Sequence, residues 1–98
     1  MAQFDVVRLA GGDLAIDCQA DCLSDISTRF VVPLRPVDDA PPLRPRLNPL
    51  FAIGGEQHAM VTQFAATVPV SELRETVTSL RLDYLIVTGA LDMLISGY

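Results

Sequence analysis

The chain has 98 residues, of which half are hydrophobic and 19% are charged, so it allows one domain with an apolar core and excludes two. Its net charge is −5, with twelve acidic residues against seven arginines and no lysine. Nucleic acids and anionic membranes are disfavoured as partners, because both attract basic surfaces. The first residues lack the features of a signal peptide, so we expect a single cytoplasmic domain over residues 1–98. The high apolar fraction favours a homodimer.

The N-terminal third predicts antiparallel strands. Residues 3–9 form the first, residues 10–13 form a glycine turn, and residues 14–22 alternate in character. The apolar positions are Leu14, Ile16, Cys18, Ala20 and Cys22, and the polar positions are Asp17, Gln19 and Asp21. This period of two is typical of a half-buried strand whose polar row faces solvent. On such a strand the two cysteine Cα atoms lie ~13 Å apart, too far for a disulfide, so we expect reduced and partly buried thiols.

The middle of the chain is rich in proline. Residues 28–34 predict a third strand, and Pro33 indicates that it ends there or lies at a sheet edge. Residues 35–49 contain five prolines, which predicts a stiff surface excursion without a helix.

The second half predicts a hairpin and then a helix. Residues 50–53 and 58–62 form the hairpin around residues 54–57, residues 68–70 are extended, and residues 71–74 suggest a helical turn. From about Leu80 the apolar residues recur every three to four positions. This predicts a helix that is apolar nearly all round and therefore buried on more than one side. Gly89 within it would permit close approach by another backbone.

Few residues suggest catalysis. His58 is the only histidine, and no nucleophile or second acid–base group stands near it, which favours an ordinary strand residue over a general base. The row of Asp17, Gln19 and Asp21 could bind a metal or a protein, although a solvated strand face is the simpler interpretation. The sequence predicts no metal and no cofactor, since two cysteines and one histidine make a poor ligand set.

Two interpretations of the C-terminus stay open. In the first, Gly97 ends the helix in the left-handed conformation and Tyr98 folds back onto it. In the second, Tyr98 projects as an aromatic anchor for a partner.

Several motifs together resemble the CcdB family of plasmid-maintenance toxins. Their order covers essentially the whole chain: Phe4-Asp5-Val6, then Asp17-Cys18-Gln19-Ala20-Asp21, then Arg29, Val31, Pro33 and Leu34, then Ile53-Gly54-Gly55-Glu56, Met60, Thr62, Val68-Pro69-Val70-Ser71 and Gly97. The resemblance implies a mostly β fold, an SH3-like barrel of antiparallel strands with a C-terminal α-helix. It also implies a homodimeric toxin of a toxin–antitoxin module that catalyses no reaction. Such toxins bind the A subunit of DNA gyrase and are neutralised by a cognate CcdA-like antitoxin.

The resemblance places the gyrase contact at the end of the final helix. The family's terminal Trp-Gly-Ile falls on Ser96, Gly97 and Tyr98, preceded by Asp92 and Ile95. Serine thus replaces the tryptophan whose ring stacks on an arginine of gyrase. This departure motivates an alternative, a non-toxic binding module that keeps only the antitoxin contact. A second alternative is an RNA-cleaving toxin of the same barrel that uses Arg29 with His58 or Asp17.

Overall fold

The alternating sequence folds into an antiparallel sheet over residues 1–97, the part of the chain that the computed structural model describes. The strands within it are β1 (Asp5–Leu9), β2 (Leu14–Asp17), β3 (Thr28–Pro36), β4 (Leu50–Ile53), β5 (Glu56–Met60), β6 (Ala66–Pro69) and β7 (Leu73–Ser79). Their order is β4-β5-β3-β2-β1-β7, and β6 also pairs with β3. The sheet curls into a half-barrel, and helix α1 (Tyr84–Ser96) follows it. The predicted fold class, mostly β with a C-terminal helix, is confirmed.

Strand β3 organises the sheet, because it changes partner along its length. Residues 28–31 pair with β6 and residues 34–36 pair with β5. Pro33 lies between the two partners, where its carbonyl accepts a hydrogen bond from the Val61 N–H at 2.9 Å. The prediction that the strand ends or is an edge near Pro33 is therefore wrong: a proline fits this central strand because the ladder is interrupted at that point.

Strand β7 was not predicted. It pairs with β1 along one side, and Leu73 is its only buried residue. Apart from Leu73 its residues are charged, hydroxylated or exposed, so its sequence carries little of the apolar signal that marks a strand. The predicted helical turn at residues 71–74 is in fact a 3-10 helix, Val70–Glu72, which leads directly into this strand.

Other boundaries also differ from the prediction. The first strand begins at Asp5 because Phe4 has a φ of 70°, an uncommon left-handed conformation that accompanies a buried ring. The second strand ends at Asp17, and a 3-10 helix over Asp21–Leu23 follows it. The proline-rich excursion is not free of helix, since it contains the 3-10 helix Val37–Asp39.

Both faces of the sheet are covered. On one face α1 packs over the larger core, which includes Val6, Ile16 and Met60. On the other face the curl of the sheet encloses a smaller core of Val7, Ala15, Val31 and Leu73. Consecutive residues such as Val6 and Val7 therefore point into different cores, as the alternation of a strand requires.

Candidate functional site

Helix α1 presents a wide apolar surface to solvent. Its inner face buries Val87 and Ala90 against the larger core. On the opposite side the exposed fractions are 70% for Leu85 and 51% for Ile86, and 99% for Leu82 in the 3-10 helix Arg81–Asp83 that leads into α1. The prediction that this helix is buried on more than one side is wrong for the single chain, because the curled sheet covers only one side of it.

These exposed residues continue into a row along the helix, which we name the outer face of α1. Its members recur with helical periodicity: Leu82, Leu85, Ile86, Gly89 and Met93. Gly89 and Met93 within it are half-buried. A Cβ atom placed at Gly89 would meet no atom of the described residues within 4 Å outside the neighbouring backbone of its own helix. The glycine is therefore not required by this chain's own packing, even though it weakens the helix by ~1 kcal/mol relative to alanine.

The candidate gyrase-contact residues lie at the C-terminal end of the helix. Asp92, Ser96 and Gly97 are exposed, and Ile95 is 79% exposed. Gly97 has a φ of 80° and its N–H donates to the Met93 carbonyl at 3.0 Å, which confirms the Gly97 part of the first interpretation of the C-terminus, the left-handed helix cap. Tyr98 lies outside the described residues, so its role stays a prediction.

The polar row of the second strand is not a solvated strand face, and that prediction is wrong. Asp17 is completely buried, and its Oδ2 accepts a hydrogen bond from Arg29 Nη1 at 2.8 Å. The side chain of Gln19 bridges two segments, accepting from the Phe30 N–H at 3.1 Å and donating to the Leu23 carbonyl at 3.0 Å. Asp21 accepts from the Gln3 N–H at 2.8 Å. The row therefore fastens the 3-10 helix Asp21–Leu23 and the N-terminus to β3.

Burial also governs ionisation at this point. Desolvation raises the pKa of Asp17 above 3.8, although the Gln19 N–H and the Arg29 guanidinium oppose the shift. The sequence contained a signal for this burial, because the neighbour of Asp17 on the same strand face is the apolar Ala15. Of the three polar residues, only Asp17 belongs to β2, and the other two lie beyond the end of that strand.

The two cysteines differ in environment. Cys18 is buried, as predicted, and desolvation raises the pKa of its thiol to about 12. Cys22 is exposed on the 3-10 helix Asp21–Leu23, so the prediction that it is partly buried is wrong. Both thiols are free.

The residues considered for acid–base chemistry do not form one site. His58 lies on β5 opposite Pro36 of β3, and Pro36 is seven residues, or roughly 23 Å, along that strand from Arg29. Arg29 and Asp17 do meet, but they are buried and paired with each other. The pairing of Arg29 with His58 that an RNA-cleaving site would use is therefore wrong.

The sequence interpretation missed a cavity that holds His58. It lies between the β1–β2 hairpin, the end of β3, the 3-10 helix Val37–Asp39 and the start of β5. Its residues are distant in sequence, so only the strand register brings them together. Within residues 1–97, no group of three or more histidine, cysteine, aspartate or glutamate side chains is arranged to hold a metal ion. No helix in that range has the length and apolar character needed to cross a membrane.

A comparison with known protein families agrees with the fold described above. The family model described as CcdB protein matches residues 3–97, which includes every strand and all of α1. No curated protein matches the chain. This chain belongs to the CcdB family, the gyrase-poison toxins of toxin–antitoxin modules.

Proposed function

We propose that this chain is a homodimeric toxin that binds the A subunit of DNA gyrase and is neutralised by a cognate CcdA-like antitoxin. The observation that carries the proposal is the unburied apolar surface of α1, which leads to the exposed residues Asp92, Ile95, Ser96 and Gly97 in a chain of the CcdB family. Family membership supports the class of target. The exposure of these residues supports the position of the contact.

The outer face of α1 supports the homodimer. Side chains as apolar as Leu82, Leu85 and Ile86 are seldom left together on the surface of a soluble monomer. The row from residue 82 to residue 93 is roughly 17 Å long at 1.5 Å per residue, enough to serve as the centre of an interface between two copies. A two-fold axis through this row would set the same residues against each other, and Gly89 would let the two helices approach closely.

The gyrase contact is proposed for the C-terminal turn of α1. Ile95 offers an apolar side chain whose surface is mostly free. Ser96 provides no aromatic face for stacking on a cation, an interaction that contributes about 0.5–2 kcal/mol per ring. The contact therefore depends more on apolar burial of Ile95, and on Tyr98, than it would with a tryptophan at position 96.

Induced expression in a sensitive bacterium tests this function. Growth arrest together with trapped gyrase–DNA cleavage complexes is expected, and co-expression of a cognate CcdA-like antitoxin should relieve both. Arrest without cleavage complexes would exclude gyrase as the target. Normal growth with a soluble, dimeric protein that still binds the antitoxin would favour the alternative motivated by Ser96, a non-toxic binding module.

A further inference from the structure

We draw no further inference here: the strongest candidate, the apolar recess between the loop residues Arg46 and Pro49 and the outer face of α1, belongs to the surface already proposed for the homodimer, and nothing in the structure shows what covers it.

Discussion

Arg29 and Asp17 form an ion pair inside the half-barrel, with Nη1 2.8 Å from Oδ2 and no exposed surface on the aspartate. The pair links β3 to the end of β2, just before the chain turns into the 3-10 helix Asp21–Leu23. The Arg29 Nε makes no hydrogen bond within residues 1–97, so the guanidinium is held largely by this one carboxylate.

Loss of the arginine should destabilise the protein strongly. Arg29→Met leaves the Asp17 carboxylate buried without its partner, which costs about 3–5 kcal/mol of unfolding free energy. The double variant Asp17→Asn with Arg29→Met should recover part of that loss, because no charge stays buried. Urea unfolding at one fixed protein concentration measures both. Arg74→Met, at an exposed position of β7, is the control and should have a small effect; an equally small effect of Arg29→Met would show that the pair contributes little.

Protonation of Asp17 should make the unfolding free energy depend on pH. Its pKa in the folded protein is raised above the ordinary value of 3.8, so the folded state holds the proton more tightly than the unfolded state. The stabilisation that this proton provides is present at low pH and is lost as pH rises through the folded pKa. The unfolding free energy of the wild type minus that of Asp17→Asn should therefore be larger at about pH 4 than at about pH 7. A difference that grows with pH would reverse the assigned direction.

The two thiols should react at very different rates. Cys22 is exposed, whereas Cys18 is buried with a thiol pKa of about 12, and only a thiolate reacts readily. A maleimide at neutral pH should add once to the folded protein and a second time only after unfolding, as followed by mass spectrometry. Cys22→Ser should abolish the rapid addition. Rapid labelling of Cys18 in that variant would mean that its segment opens in the native protein.

Substitution of Gly89 should separate folding from self-association. A Cβ atom there meets nothing within 4 Å in the single chain, and leucine favours a helix over glycine, so Gly89→Leu should keep or increase helix content. It should weaken a dimer that uses the outer face of α1, which sedimentation equilibrium would detect as a larger dissociation constant. Thr88→Leu is the control, because residue 88 is rotated by about 100° from residue 89 around the helix. A dimer unaffected by Gly89→Leu would place the interface elsewhere.

Local patterns predicted much of the fold. The hairpin at residues 50–62 and the helix after Leu80 were recovered because turn glycines and apolar periodicity are encoded within short segments. Strand β7 was missed because its pairing with β1 joins residues far apart in sequence. The burial of Asp17 was missed because its one local signal, the apolar Ala15 on the same strand face, is weak, and the curl that covers this face of the sheet arises from tertiary packing.

The candidate sites were likewise predictable where they depend on contiguous residues, and not where they depend on tertiary packing. Sequence alone predicted the C-terminal helix and offered its glycine cap as one of two interpretations, because both depend on contiguous residues. It did not reveal that one side of the helix stays uncovered, because the extent of the sheet beneath it sets that exposure. The cavity around His58 was likewise hidden, as strand register alone brings Leu14 beside Leu34.

A gyrase cleavage assay with purified protein tests the central claim most directly. Wild-type protein, gyrase, supercoiled DNA and ATP should yield linear DNA covalently held by gyrase. Ile95→Asp should reduce that yield strongly, because it places a charge where an apolar contact is proposed, while Leu43→Asp, at another exposed leucine, should match the wild type. Absence of linear DNA with folded wild-type protein, or an equal yield from Ile95→Asp, would contradict the account.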